Sequence, residues 1–260
     1  MMHTVAMQID LNADLGESFG PWTMGEDEAL MTSITSANVA CGFHAGDPSV
    51  MRATIRLAKR HGVAVGAHPG FPDLAGFGRR EMSLSTTEVE DLVLYQLAAV
   101  AGVAEAEGVR LQHVKAHGAL YNMAARDAAL ARAIARAVAT FDRTLILLGL
   151  PNSALLHEGH AAGLRIAAEV FADRTYEADG SLTPRRTPGS VIHDPARVVE
   201  RAVAMITSNQ VTATDGRVVS LRGDTICLHG DTPGAGELGH QLRAGLESAG
   251  IRVAALATTL

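Results

Sequence analysis

Short apolar runs alternate with longer helical patterns along almost the whole chain, and this alternation restricts the fold more than any other feature of the sequence. The runs are continuous stretches of mainly aliphatic residues, which is typical of parallel strands that are buried on both faces. Strands of this kind are joined by right-handed helical crossovers. The runs lie near residues 7–13, 36–41, 63–67, 111–115, 144–149, 164–170 and 225–228.

A single barrel fits this alternation better than an open sheet does. The chain has 260 residues, close to the size of about 250 residues that is usual for one (β/α) barrel. No low-complexity linker divides the sequence. We therefore predict the α/β class, with one domain over residues 1–260 that forms a distorted TIM-like barrel of seven or eight strands.

Capping signals mark where several helices begin and end. Asp47, followed by proline, predicts a helix start, and Gly62 predicts its end. Ser85 and Glu88 have the spacing of a capping box, and the helix that they open should end near Gly108. Further helices are predicted over residues 127–141, 153–162, 195–208 and 236–249, with a long loop over 71–82 and a hairpin over 211–221.

Charge and cysteine usage limit the kinds of partner and the compartment. The chain has 22 Lys and Arg against 28 Asp and Glu, a net charge of −6. No basic stripe is available to neutralise phosphates, so we expect no nucleic-acid partner and no membrane partner. The N-terminal residues do not have the pattern of a signal peptide. Cys41 and Cys227 lie inside apolar runs, as reduced core thiols of a cytoplasmic protein would.

Four histidines follow predicted strands, and each has a glycine close to it. They are His44, His68, His117 and His229. In a parallel barrel, catalytic groups lie at the C-terminal ends of the strands and in the loops that follow. The sequence therefore predicts that these imidazoles meet at one rim. The alternative is four partly buried histidines that each bond to a nearby carbonyl.

The first strand adds polar groups to this rim. Asp10, Asn12 and Asp14 occupy alternate positions in IDLNADLGE and so share one face of the strand. Three polar groups on one buried face are costly unless they are paired or used. Asp14 lies nearest the C-terminal end and is predicted to be functional, whereas Asp10 is predicted to be structural. Asn38, on the second strand, is predicted to bond across to Asn12.

Lysine is rare in this chain, which makes one of its two lysines informative. Lys59 falls on a predicted helix and should be solvated, but Lys115 ends the buried run LQHVK. A buried ammonium requires a carboxylate or phosphate partner, or a depressed pKa. Glu169 and Asp173, in and after the sixth run, supply two carboxylates on the same side of the barrel.

Common nucleotide and metal motifs give little support for such sites. Gly234, Gly236 and Gly239 match GxGxxG, but no βα unit follows them, so a dinucleotide site is not predicted. The amides of this segment could still bind a phosphate or a carboxylate. The sequence has no GxxxxGK[ST] loop and no GxSxG elbow. Histidines that converge with Asp14 on one rim suggest a divalent metal. However, no HxH or HExxH element concentrates the ligands, so no metal ligands are assigned.

Several long blocks of the sequence resemble the LamB/YcsF family, to which the A subunit of bacterial ATP-hydrolysing 5-oxoprolinase belongs. They are IDLNADLGESFG, SANVACGFHAGDP, GAHPGFPD with FGRR, VKAHGALYN, AEVFADRTY and ICLHGDTPGA. The resemblance extends nearly from end to end. It implies a barrel related to the glycoside hydrolase/deacetylase class, and partner subunits B and C. The implied reaction converts 5-oxo-L-proline, ATP and two waters into L-glutamate, ADP and phosphate.

This chemistry suggests roles for the rim residues. Phosphorylation of the lactam oxygen, with ATP and Mg²⁺, would create an electrophile that requires cations and polar groups around it. The predicted catalytic residues are Asp14, Lys115, His117 and Glu169. The predicted substrate- and phosphate-binding residues are Asn12, Asn38, His44, His68, Arg79, His229 and Asp231.

Several points stay open at the level of sequence. Arg80, next to Arg79, is a second candidate to bind the substrate carboxylate or the nucleotide, and either Asp14 or Glu169 could act as the base or orient the attacking group. The chain could instead be a metal-dependent carbohydrate or amide deacetylase, or a non-catalytic scaffold for its partners. Its number of copies is also open, homo-oligomers included.

Overall fold

The computed structural model describes residues 7–228 and 234–256, and it is built around a closed barrel of parallel strands. In chain order the strands are β1 (Gln8–Leu15), β2 (Ser36–Ala40), β3 (Ala64–His68), β4 (Leu111–Lys115), β5 (Ile146–Gly149), β6 (Arg165–Val170), β7 (Gln210–Thr212), β8 (Val218–Ser220), β9 (Thr225–Leu228) and β10 (Arg252–Val253).

Seven of these strands form the barrel. The order is β1-β2-β3-β4-β5-β6-β9, and β9 pairs with β1 to close the ring, all in parallel. The short β10 adds to the outer edge at the start of β1, where Arg252 is opposite Gln8. The predicted TIM-like barrel is therefore confirmed, with seven strands in the ring.

Helices pack around the barrel between the strands. They are α1 (Asp27–Leu30), α2 (Pro48–His61), α3 (Thr86–Ala106), α4 (Gly118–Ala124), α5 (Ala128–Phe141), α6 (Ala154–Ala161), α7 (Pro195–Ser208) and α8 (Ala235–Ser248). Among the described residues, no helix combines the length and the apolar character needed to cross a bilayer.

The predicted capping signals act as expected. The Asp47 carboxylate accepts from the amides of the first turn of α2, and Gly62 ends that helix in the left-handed region at φ 67°. Ser85 and Glu88 form the full capping box of α3. The hairpin is also confirmed, because β7 and β8 pair antiparallel on either side of the predicted turn. Among the described residues, four short elements were not predicted: α1, α4, β10 and a 3-10 helix over Leu74–Gly76 in the predicted loop.

One of the unpredicted elements has a clear local cause. The helix α4 begins directly after His117, at Gly118, whose φ is +54°. A Cβ at this position would lie 2.6 Å from the carbonyl oxygen of Gly78. Glycine is therefore required for the chain to turn at once from the end of the strand into a helix.

The interior of the barrel is polar on the side of β1, β2 and β4. Asn12 donates to Thr225 at 2.7 Å and accepts from Asn38 at 2.7 Å, and His113 contacts the Asn38 side-chain oxygen at 2.8 Å. Thr225 in turn donates to Asp10 at 2.5 Å. All five side chains are fully buried. The predicted bond between Asn12 and Asn38 is confirmed, and this network connects the floor of the barrel to its mouth.

Asp10 occupies the floor and has the structural role predicted for it. Burial raises the pKa of its carboxyl from 3.8 to about 6, although the hydroxyls of Ser36, Thr225 and Thr35 donate to it and lower the pKa. The folded protein therefore holds the proton of Asp10 more tightly than the unfolded chain does.

This shift predicts that Asp10 makes the stability of the protein depend on pH. Because the folded pKa is the higher one, the contribution of Asp10 is fully present below pH about 4 and is lost as the pH rises through about 6, with a total of about 3 kcal/mol. Urea unfolding between pH 4 and 8 measures it. Asp10→Asn should flatten this part of the profile, whereas Asp91→Asn, exposed on α3, should leave it unchanged. Equal profiles for Asp10→Asn and the wild type would contradict the assignment.

Candidate active site at the barrel mouth

A buried lysine paired with two carboxylates forms the centre of the site. The Lys115 ammonium at the end of β4 lies 2.8 Å from Asp14 on β1 and 2.8 Å from Glu169 on β6. The Lys115 and Glu169 side chains are 4% and 0% exposed, while that of Asp14 is 14% exposed. The three strands are distant in sequence, so closure of the barrel is what brings these groups together. Asp14 is the member of the trio that solvent reaches most.

The carboxylates keep Lys115 charged. Burial alone would lower the pKa of the ammonium, but the charges of Asp14 and Glu169 hold that pKa well above its ordinary value. Of the alternatives left open by the sequence, the structure shows the carboxylate partner and not a depressed pKa. A lysine in this state cannot accept a proton near neutral pH. It is a fixed positive charge at the mouth of the barrel.

Asn12 and Cys227 also contact this cation, and Tyr121 lies near its partner Glu169. Lys115 also donates to Asn12 at 3.3 Å and to the Cys227 sulfur at 3.0 Å. Cys227 is a buried free thiol, as predicted, and burial raises its pKa well above the ordinary value. Burial and then the charge of Glu169 likewise raise the pKa of the Tyr121 hydroxyl, on α4. A raised pKa keeps the Cys227 thiol and the Tyr121 hydroxyl neutral, with the Cys227 sulfur accepting from Lys115. The sequence analysis did not connect either residue with the site.

Three of the four predicted histidines meet beside the lysine. His44 follows β2, His68 ends β3 and His117 follows β4, and all three are at most 4% exposed. The rings of His44 and His117 are stacked with centroids 3.7 Å apart, and His68 meets both edge-on. The predicted convergence is confirmed for these three. His229 and Asp231 lie outside the described residues.

Asp14 connects the lysine to the histidines. One of its carboxylate oxygens is 2.8 Å from the Lys115 ammonium, and the other is 3.4 Å from Nε2 of His68. The first oxygen also accepts from Asn38 at 2.8 Å. Asp14 therefore contacts both halves of the site, as its position nearest the end of β1 predicted.

Sequence reasoning missed Glu17, which joins the histidine group. Its Oε1 lies 3.5 Å from Nε2 of His44 and 3.4 Å from Nδ1 of His117, and the residue is 7% exposed. With His68, these residues present ligand atoms that all lie within 4.8 Å of one another, so they could hold a metal ion. Glu17 follows β1 by two residues, in the loop, where no strand periodicity points to it.

In the loop after β3, the two candidate arginines have different contacts. The Arg80 guanidinium pairs with Asp73, seven residues before it, through several contacts. That pairing removes Arg80 as the first choice for a substrate carboxylate. Arg79 lies over the Phe77 ring at 4.9 Å. Burial is the main cause of the lowered pKa values of His44 and His117, and the charge of Arg79 acts in the same direction. Arg79 is therefore the arginine of this loop that is placed against the site.

The glycine-rich segment at α8 already binds a carboxylate. Amides of Gly234 and Gly236 donate to the two oxygens of Glu26 at 3.2 and 3.1 Å. The anion-binding capacity predicted for this helix start is thus used within the fold. Asp173 also has local partners, since its carbonyl accepts from Ile192 at 2.7 Å in the loop after β6.

Known proteins match this chain over nearly its whole length. A model of the LamB/YcsF family matches residues 9–260. A protein from Methylococcus capsulatus that is named as the A subunit of 5-oxoprolinase is 58% identical over 252 residues, which cover 97% of this chain and 97% of that protein. The crystal structure of a lactam utilization protein from Thermus thermophilus is 51% identical, with a TM-score of 0.91, over 96% of this chain and all of the other.

More distant structures share the fold alone. A T48 deacetylase matches with a TM-score of 0.51 at 15% identity, over 98% of this chain and 90% of that one. This likeness agrees with the predicted deacetylase-like barrel. At such low identity it carries no information about the reaction.

Proposed function

This chain belongs to the LamB/YcsF family, and we propose that it is the lactam-binding A subunit of an ATP-dependent 5-oxoprolinase. In this role it would act with partner subunits B and C to convert 5-oxo-L-proline into L-glutamate. The relatives named as a 5-oxoprolinase A subunit and a lactam utilization protein support the substrate class. The observation that carries the proposal is the fixed cation of Lys115, held between Asp14 and Glu169 at the mouth of the barrel.

A five-membered lactam requires activation before water can open it. Transfer of the γ-phosphoryl group of ATP to the lactam oxygen would give ADP and an O-phosphorylated imidate. Water adds to its carbon, and cleavage of the ring C–N bond leaves glutamate γ-phosphate with a free amine. A second water then releases phosphate and glutamate. Atoms balance as one 5-oxoproline, one ATP and two waters to glutamate, ADP and phosphate.

Lys115 has the properties that the first step requires. Negative charge builds up on the transferring phosphoryl group and on the lactam oxygen, and a preorganised buried cation stabilises it with little reorganisation. Lys115 cannot serve as the base, because its pKa is held high. The ammonium would therefore bind the developing charge and keep its proton throughout.

Of the two carboxylates beside Lys115, Asp14 is better placed to orient and deprotonate the attacking water. It is more exposed than Glu169 and contacts both Lys115 and His68. A carboxylate in that position can orient water and accept its proton as the bond to carbon forms. Glu169, which is fully buried, would instead fix the position and charge of Lys115.

The nucleotide would be bound at a surface that this chain shares with a partner. The sequence has no P-loop, and the glycine-rich start of α8 is bound to Glu26. Arg79, on the exposed loop above the histidines, would contact the phosphates or the carboxylate of 5-oxoproline. Mg²⁺ would enter with ATP.

Reconstitution tests the proposal. The chain is assayed alone and with its B and C subunits for ADP and glutamate formed from 5-oxoproline and ATP. We expect turnover only in the complete mixture, with one glutamate per ADP. Absence of 5-oxoproline-dependent ADP from every combination would refute the function. Release of acetate from acetylated carbohydrates by the chain alone, without ATP, would support the deacetylase alternative instead.

A further inference from the structure

The three rim histidines contain an arrangement that hydrogen bonding within the protein does not explain. Nδ1 of His68 lies 2.8 Å from the carbonyl oxygen of Lys115, and Nε2 of His117 lies 2.9 Å from the carbonyl oxygen of Phe77. A carbonyl only accepts, so each of these nitrogens carries a hydrogen. In the neutral tautomers, the other nitrogen of each ring is then a bare acceptor.

Those two bare nitrogens face each other. Nδ1 of His117 is 3.0 Å from Nε2 of His68. Two lone pairs at this distance repel unless a positive charge lies between or beside them.

The third ring, that of His44, is fully buried. Within residues 7–228 and 234–256, neither of its nitrogens has a hydrogen-bond partner. An unsatisfied buried polar group costs about 1–3 kcal/mol. Its Nε2 points toward Glu17, at 3.5 Å from the carboxylate oxygen, which is too long for a good hydrogen bond. A positive ion bound at one point would satisfy both features, the facing lone pairs and the imidazole without a hydrogen bond.

We propose that Glu17, His44, His68 and His117 bind one divalent transition-metal ion of the Zn²⁺ type. Zn–N and Zn–O bonds of about 2.0–2.2 Å place neighbouring ligand atoms about 3.0–3.5 Å apart, from octahedral to tetrahedral geometry. Three of the six separations between the four ligand atoms are 3.0, 3.4 and 3.5 Å, and all six are within 4.8 Å, so a bound ion would draw the more distant atoms inward. Imidazole nitrogens select such ions over Mg²⁺ or Ca²⁺.

The surroundings of the rings match those of metal-binding histidines. In such sites the second ring nitrogen usually donates to a carbonyl or carboxylate, which fixes the tautomer and the ring orientation. His68 and His117 both have this anchor, on Lys115 and Phe77. The sequence analysis assigned no metal ligands, because it looked for ligands concentrated in one motif. The four residues come instead from the ends of separate strands and the loops after them.

A metal here would lie beside the Lys115 cation. Asp14 contacts both Lys115 and His68, so the ion and the ammonium would share one carboxylate. A Lewis acid in this position could polarise the carbonyl of a bound amide. The proposal concerns metal binding and does not depend on the lactam reaction.

Metal titration of the untagged chain tests the site. The protein is stripped with a chelator and titrated with Zn²⁺ by calorimetry, and with Co²⁺ followed by its visible absorption. We expect one ion per chain. Each of the variants His117→Ala, His44→Ala and Glu17→Gln should weaken binding by at least about 100-fold. Loss of a residue that only hydrogen-bonds to a metal ligand already lowers metal affinity by about 10–100-fold.

The control pair lies on the surface. His157 and His160 are exposed on α6, one turn apart, and could bind a metal ion at the surface. The double variant His157→Ala/His160→Ala tests whether they do. It should bind Zn²⁺ like the wild type. Circular dichroism checks that each variant is folded, and the near-isosteric Glu17→Gln keeps the test decisive if an alanine variant does not fold.

Several outcomes would overturn the site. They are no stoichiometric binding, unchanged affinity in folded Glu17→Gln and His117→Ala, or binding that disappears in the surface variant. A nitrogen NMR spectrum showing a proton shared between His68 and His117 in the metal-free chain, with no change on adding Zn²⁺, would also overturn it. Lactam turnover in the complete mixture, together with no stoichiometric Zn²⁺ binding in the titration, refutes the metal site alone. Metal binding without turnover in the complete mixture refutes the proposed function alone.

Discussion

Lys115→Met is expected to lower 5-oxoproline-dependent turnover of the reconstituted enzyme by about 10³-fold or more. The reason is that Lys115 is a cation whose charge the Asp14 and Glu169 carboxylates maintain. Removal of a preorganised donor or cation that stabilises transition-state charge costs about 10²–10⁵ in rate. Initial rates of ADP and glutamate formation measure the effect.

The chain provides its own control for this variant. Lys59 is the other lysine, and it is exposed on α2, where its ammonium donates to the backbone carbonyl of Glu107. Lys59→Met should retain full turnover. Full activity of Lys115→Met in the complete mixture would instead support the scaffold alternative, in which this chain only assembles its partners.

Loss of Lys115 also leaves the buried Glu169 without its cation. Breaking a buried ion pair by removing one partner costs about 3–5 kcal/mol, so Lys115→Met should unfold at markedly lower urea concentration. In the double variant Lys115→Met/Glu169→Gln, no unpaired charge remains at residue 169, and most of this stability should return. Activity should not return. This separates a chemical role of the ammonium from a structural one.

The sequence was sufficient for the fold because the barrel has a simple physical signature. Parallel strands covered by helices are buried on both faces, so they appear as continuous apolar runs, and every one of the seven predicted runs forms a barrel strand. The sequence left seven or eight strands open, and the ring has seven. The additional β10, outside the ring, has only two residues, too few for a periodic pattern. Ring closure through β1 and β9 depends on long-range pairing that local patterns do not encode.

The candidate site was predictable where residues lie within strands. Alternation placed Asn12 and Asp14 on the inner face, and the rule that buried charges need partners led from Lys115 to carboxylates, which are Asp14 and Glu169. Glu17 was missed because it lies in a loop, where orientation depends on tertiary contacts.

The surroundings of Arg79 and Arg80 could not be predicted from the sequence for a similar reason. Arg79 and Arg80 are adjacent, and only the folded loop shows that Asp73 binds the second one. An ion pair formed within a loop without regular structure has no periodic signal. The sequence therefore located the rim and most of its residues, but not which neighbours in a loop face it.

Asp14→Asn is expected to reduce kcat of the reconstituted enzyme by about 10²–10⁴-fold, the usual contribution of a general acid or base. The amide keeps the shape of the side chain and its acceptor oxygen, so contact with Lys115 can persist while the ability to accept a proton is lost. Steady-state kinetics should show the loss in kcat, with a smaller change in KM for 5-oxoproline.

Glu169→Gln is the matched comparison, since both carboxylates lie 2.8 Å from the same ammonium. Glu169 is fully buried while Asp14 is partly exposed, so Glu169→Gln should mainly lower stability and reduce kcat less than Asp14→Asn does. If the order is reversed, with Asp14→Asn nearly active and Glu169→Gln inactive but folded, Glu169 is the group that handles the water. Exposure to solvent would then not determine whether Asp14 or Glu169 contacts the substrate.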